Sequence, residues 1–94
     1  MRQFEIVTYG GIPAVLVEAD DLPRFPATVI VPLTEGRGEI PRLNPVVEFD
    51  GRAWFLNPRI ITTVRRADLD GTGIVLEDRR DEIVRAMDVL IGAY

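Results

Sequence analysis

Asp78–Tyr94 (DRRDEIVRAMDVLIGAY) is the one stretch of the chain with a strong helical pattern, and its neighbours are read outward from it. Ile83, Val84, Met87, Leu90, Ile91 and Tyr94 recur at i, i+1, i+4, i+7, i+8 and i+11, a continuous apolar stripe on a helix of 3.6 residues per turn. Asp81, Arg85 and Asp88 fall on the opposite side. Asp78 is placed to cap the first turn with Asp81 three residues on, where carboxylates suit the positive end of the helix dipole, while Gly92 weakens the last turn. The stretch predicts an amphipathic helix closing a small core, with Gly92-Ala93-Tyr94 as its tip.

Upstream the periodicity changes from helical to alternating. Gln3–Tyr9 (QFEIVTY) reads as a half-buried strand, Gly10-Gly11-Ile12-Pro13 as a turn in which proline stops the ladder, and Ala14–Glu18 (AVLVE) as its hairpin partner. Ala19–Pro26 (ADDLPRFP) has two prolines and paired aspartates, so it is a surface loop whose apolar residues Leu22 and Phe25 either tuck onto the core or face a partner. Thr28–Leu33 (TVIVPL) predicts the central strand, with Pro32 at a bulge or an exit to an edge. After the Thr34–Pro41 loop, Val46–Phe49 and Arg52–Leu56 flank Asp50-Gly51, the best short hairpin signal in the chain. Arg59–Val64 predicts a further strand that Arg65-Arg66 carries out to solvent, followed by an Asp68–Gly73 turn and a short strand from Ile74 to Leu76. Six or seven short strands and one final helix, without strand–helix alternation, predict a mainly β domain over residues 1–94: an antiparallel, partly closed barrel with a C-terminal helix against it.

Composition narrows the function. The chain has no cysteine and no histidine, so thiol nucleophiles, thiolate metal sites and the usual general base are all missing. All eleven basic residues are arginine, and fifteen carboxylates leave a net charge of −4. That balance opposes binding by phosphate neutralisation and predicts protein partners rather than nucleic acid. At 47% hydrophobic residues, a chain this short hides its apolar area best as a homodimer. No apolar run reaches the ~18 residues of a membrane span, and the expected location is the cytoplasm.

Two motifs tempt a catalytic reading. Asp68-Leu69-Asp70-Gly71-Thr72 spells the DxDGT signature of haloacid-dehalogenase-type phosphatases, but that chemistry needs a downstream lysine, and the chain has none. The same stretch resembles half of a calcium loop without its closing glutamate, and reads best as a glycine-rich turn. Trp54 and Phe55 are expected in the core, and Glu77, Asp78, Asp81 and Glu82 are ordinary acidic residues of a helix start. No nucleophile, base and orienter can be assembled, so the residues predict a binding protein, not an enzyme, with no catalytic residue, metal or cofactor.

Several spaced segments are similar to the CcdB toxin family, the protein component of a bacterial toxin–antitoxin pair that poisons DNA gyrase. They are Gln3-Phe4 through Thr8-Tyr9, Val29–Leu33, Leu43–Val47, the strand centred on Trp54, and the Glu82–Leu90 helix, in the right order over nearly the full length. The resemblance implies an SH3-like barrel with a side sheet, a homodimer, a helix tip that enters the gyrase A subunit, and a cognate CcdA-like antitoxin with a disordered segment. Carried across, the gyrase contacts fall on Asp88, Ile91, Gly92, Ala93 and Tyr94, with a loop contribution from Leu22. The family ends in tryptophan, glycine and isoleucine, whereas this chain has Gly92, Ala93 and Tyr94 there. The alternatives are an antitoxin-binding relative with weak or no gyrase activity and a MazF-type endoribonuclease, which shares the barrel.

Overall fold

The computed structural model describes residues 1–93; the expectation for Tyr94 lies outside the described residues. Seven strands precede the helix: β1 (Glu5–Tyr9), β2 (Ile12–Leu16), β3 (Ala27–Glu35), β4 (Val46–Phe49), β5 (Arg52–Leu56), β6 (Thr62–Arg65) and β7 (Leu69–Val75), then α1 (Arg80–Ile91). Every pairing is antiparallel, in the order β4-β5-β3-β2-β1-β7 with β6 also on β3. The sheet curls into a half-barrel, as the run of strands without alternating helices predicts.

The nine-residue β3 makes the curl possible by changing partners along its length. Ala27–Ile30 pair with β6, Ile30–Pro32 with β2, and Leu33–Glu35 with β5. Pro32 stands where β3 leaves β2, so the proline marks the strand's exit into the side sheet. Side chains alternate across the central strands, and both faces are buried. Phe4, Ile6, Val15, Val31 and Leu33 face β4, β5 and the helix, where Val47, Leu56, Ile83 and Ala86 close the core. Val7, Ala14, Leu16 and Ile30 face the other way and are closed by Val64 and Leu69.

The strand boundaries differ from expectation where local propensity is overruled. Pro13 lies inside β2 and is buried. The Gly10-Gly11 turn makes Tyr9 opposite Ile12 the closing pair of a two-residue hairpin, so at Pro13 the N–H side faces away from β1, short of the first β3 pair at Ala14. The segment Arg59–Val64 is not one strand: Pro58–Ile60 form a 3-10 turn closed by Ile60 N–H to Asn57 O at 3.1 Å, and β6 begins at Thr62. Asp68–Gly73 is not a turn; a 3-10 turn at Arg66–Asp68 leads directly into β7, which pairs with β1.

A buried carboxylate explains how so glycine-rich a segment becomes a strand. Glu5, 6% exposed, accepts backbone N–H groups from Arg2 at 3.0 Å and Gly73 at 3.1 Å, and Thr72 donates its hydroxyl to Ile6 O at 2.6 Å. A Cβ on Gly71 would stand 2.6 Å from Glu5 Oε2, so a larger residue would have to push that carboxylate off its backbone partners. Trp54 is half-buried against the helix-side core, with Nε1 donating to Phe49 O at 3.0 Å.

The helix departs from the expected stripe in two ways. Its core face is centred on Ile83 and Ala86 with Met87 packed beside them, whereas Val84 is 41% exposed and Ile91 73% exposed. Ala86 is fully buried, and the Val84–Ile91 side is turned outward. The expected Asp78 cap is also absent: Asp78 belongs to a 3-10 turn, Glu77–Arg79, and the residue before α1 is Arg79, without a side-chain capping bond.

Candidate functional site

The C-terminal end of α1 is stopped by its own backbone. Gly92 adopts φ 75°, a left-handed conformation that side-chain-bearing residues avoid. There Gly92 N–H reaches Val89 O at 3.3 Å and Ala93 N–H reaches Asp88 O at 2.9 Å, the two bonds of a Schellman motif. The glycine therefore ends the helix rather than merely weakening its last turn. Nothing lies within 4 Å of where a Cβ on Gly92 would point, so what excludes a larger residue is backbone conformation and not space.

Ile91 is the final helical residue and the most exposed large apolar side chain among the described residues, at 73%. Asp88 lies one turn earlier, half-buried, beside a shallow groove of about 420 Å³ lined by Arg42, Arg80, Asp81, Val84 and Arg85. Asp88, Ile91, Gly92 and Ala93 thus form one surface. Val84 shares the exposed side of the helix with Ile91, a neighbour that the sequence stripe assigned to the core.

The opposite end of the helix is tied down. Arg79 donates to Val46 O at 2.8 Å and pairs with Glu82 at 2.8 Å. That hydrogen bond raises the Arg79 pKa above its usual value and, on its partner, holds the Glu82 carboxyl below the usual carboxylate range. The Arg80 guanidinium sits over the Phe4 ring at 5.2 Å and reaches Gln3 Oε1 at 3.3 Å. Phe4 itself has φ 68° and is fixed by its N–H to Leu16 O at 2.6 Å and by Leu76 N–H to its carbonyl at 2.8 Å.

Leu22 is not part of the helix tip. It stands in the loop between β2 and β3, which Gln3 N–H ties through Asp20 Oδ1 at 2.8 Å, and Gln3 is in turn held by Arg80 at the start of α1. Twelve helical residues span roughly 18 Å, so within one protomer the loop belongs to the other end of the helix. Leu22 and Phe25 are both exposed, at 54% and 64%, so neither tucks onto the core. Arg66, expected in solvent, is half-buried and binds this loop: it donates Nε to Phe25 O at 2.7 Å and its guanidinium to Glu18, which also accepts the Thr28 hydroxyl. No local pattern in the sequence signals that long-range bond.

Among the described residues no group of three or more acidic side chains is arranged to hold a metal ion, and no helix is long and apolar enough to cross a membrane. The arrangement presents surfaces: a curled half-barrel with a side sheet, a helix anchored at its base, and an apolar tip. That architecture is the one found by comparison. A solved structure of an endoribonuclease in complex with its cognate antitoxin from a mycobacterial species superposes with a TM-score of 0.81, at 21% identity, over 100% of this chain and 97% of that one. The curated proteins searched give no match. The family model for the CcdB protein matches residues 11–92, and the chain belongs to the CcdB family.

Proposed function

We propose that this protein is the toxin of a type II toxin–antitoxin system, a cytoplasmic homodimer that binds the DNA gyrase A subunit and traps the cleaved complex, and that a CcdA-like antitoxin neutralises it. The observation that carries the reading is the helix tip, an exposed Ile91 on a helix rigidly anchored at its other end and sharply ended by Gly92. Asp88, Ile91, Gly92, Ala93 and Tyr94 form the proposed gyrase contact at the tip, and Leu22, near the other end of the helix within the same protomer, is proposed as a separate loop contact. The mechanism is wedging, not chemistry: a well-placed apolar anchor at an interface centre contributes ~2 kcal/mol or more of binding. The family's tryptophan position is a left-handed glycine here, so Ile91, one residue earlier, takes the anchoring role and the complex is correspondingly weaker.

We assign the homodimer contact to one apolar face. There Tyr9, Ile12 and Ile60, each at least 40% exposed, rim an apolar groove of about 450 Å³ floored by Ala14, Ile30 and Pro32. Covering it on a partner would hide apolar area that a lone subunit leaves in water.

The structural likeness to an endoribonuclease favours a second reading, RNA cleavage. Against it stand the absence of histidine and lysine and the engagement of Arg52, Arg65, Arg66 and Arg79 in ion pairs with carboxylates. Two assays on the purified protein separate the readings. Gyrase cleavage complexes that accumulate at micromolar protein, and are lost with Ile91→Ser, support poisoning. RNA cleavage without gyrase trapping overturns it in favour of the nuclease.

A further inference from the structure

A groove of about 600 Å³ lies between the loop of residues 36–44, β5 and the 3-10 turn at Pro58–Ile60, away from the helix tip. We infer that it is a binding site for a small apolar zwitterion, a free amino acid with an apolar side chain. Arg37 and Arg59 take its carboxylate, Glu39 takes its ammonium, and its side chain lies against Ile40, Leu43 and Phe55. Such a site is independent of the enzyme that the protein poisons. Glu35 and Ile60 border both this groove and the apolar face assigned to the homodimer, so neither is needed here as a contact.

Charge selects the occupant. Arg37, Glu39 and Arg59 line the one groove, all exposed, and none of them makes an ion pair or a side-chain hydrogen bond among the described residues. The remaining carboxylate on the lining, Glu35, is paired with Arg52 at 3.2 Å. Opposite charges thus face the same hollow without meeting one another. A simple anion or a simple cation would satisfy one sign and crowd the other, whereas a zwitterion satisfies both. The guanidinium fork matches a carboxylate in two hydrogen bonds, and an ammonium suits a lone glutamate.

Surface and rigidity set its size and body. The volume falls in the range of small-molecule sites, roughly 300–1,000 Å³, and the lining between the charges is apolar: Leu43 buried, Phe55 half-buried and Ile40 42% exposed. The wall is built before any ligand arrives. Gly36 N–H reaches Ala53 O at 2.9 Å, and the buried Asn44 accepts Ile40 N–H at 3.2 Å while donating to Leu56 O at 3.0 Å. A Cβ on Gly38 would stand 2.7 Å from Asn44 Cβ and 3.1 Å from Phe55 Cδ2, so the loop backbone sits directly on the groove's own side chains. Arg59 is carried by the 3-10 turn that Ile60 N–H closes on Asn57 O. A wall pinned at these points loses little freedom when a ligand enters.

The test titrates the isotope-labelled full chain with L-phenylalanine and follows its backbone amide signals by NMR. L-Phenylalanine is expected to move the signals of Gly38, Glu39 and Arg59, and to bind at least about tenfold tighter than phenethylamine, which lacks the carboxylate, or N-acetyl-phenylalanine, which lacks the ammonium. Glycine, with both charges and no apolar body, is also expected to bind about tenfold more weakly or worse. A double variant, Arg37→Gln with Arg59→Gln, loses the preference over phenethylamine, Glu39→Gln loses the preference over N-acetyl-phenylalanine, and Ile91→Ser changes neither. Each altered residue is exposed, so the variants fold, as circular dichroism checks. The assignment is overturned by the absence of any shift up to about 10 mM L-phenylalanine, by equal binding of either singly charged analogue, by unchanged selectivity in the arginine or glutamate variants, or by shifts confined to Tyr9 and Ile12 on the dimer face.

Discussion

The two ends of the C-terminal helix are built on opposite principles. At its start, Arg79 and Arg80 reach out to Val46, Glu82, Gln3 and the Phe4 ring, so its position is written into the sheet. At its finish, the last turn satisfies its carbonyls with two backbone bonds from Gly92 and Ala93 and leaves Ile91 in solvent. The difference teaches that one end is fastened to the fold while the other leaves a large apolar side chain in solvent. Changes at the base should register in stability, and changes at the tip should register in binding.

The sharpest way to break that contrast is a pair of equal truncations. Ile83→Ala removes a buried side chain, 2% exposed, and is expected to cost about 2–5 kcal/mol, a large part of a small domain's total. Ile91→Ala makes the same chemical change on a side chain 73% exposed and is expected to fall within about 0.5 kcal/mol. Denaturant midpoints for the two variants measure the ratio; comparable losses would mean that the tip is part of the core. A smaller effect is expected at Gly92, where alanine must adopt φ 75° and should cost about 1 kcal/mol, seen as a melting-temperature decrease of several degrees. Asparagine tolerates that conformation and should lose less than alanine.

The smallest effect distinguishes the base by pH. Glu82 has a folded-state pKa below its unfolded value, so its contribution is present above about pH 4.3 and is lost as pH falls through the lowered value. The raised pKa of Arg79 adds nothing to titrate at neutral pH, because its contribution is lost only in strong alkali. Since 53% of the Glu82 side chain is exposed, solvent screening limits the pair to about 0.5 kcal/mol. Glu82→Gln should therefore be slightly less stable than the parent at pH 7, with the gap narrowing as the pH falls through the lowered pKa, as parallel denaturant titrations will show.

Much of the architecture could be read from local chemistry alone. Asp50-Gly51 marked the hairpin that joins β4 to β5, with Asp50 at φ 54° and Gly51 at φ 72°, and the apolar periodicity of the final stretch marked its helix. What escaped reading depends on partners distant in sequence. β7 is poor in strand-forming residues, and it is a strand because Glu5 and Ile6 supply hydrogen bonds to it from the other end of the chain. The helix stripe gave periodicity but not its orientation: Ile83 and Ala86 are buried in the core, and Ile91 is carried out to solvent. At the candidate site, the exposed tip and the departure at Gly92 were legible, whereas the rigidity of the Leu22–Phe25 loop rests on Arg66, more than forty residues away.

β3 has a consequence for how this molecule tolerates change. Because one strand serves three neighbours and shows alternate side chains to two separate cores, a slip of a single residue would invert Ile30 against Val31 and spoil both interiors at once. The half-barrel and the side sheet therefore have no independent settings. An insertion in β3 is all-or-none, and drift that reshapes the partner-facing loops must leave its phase untouched.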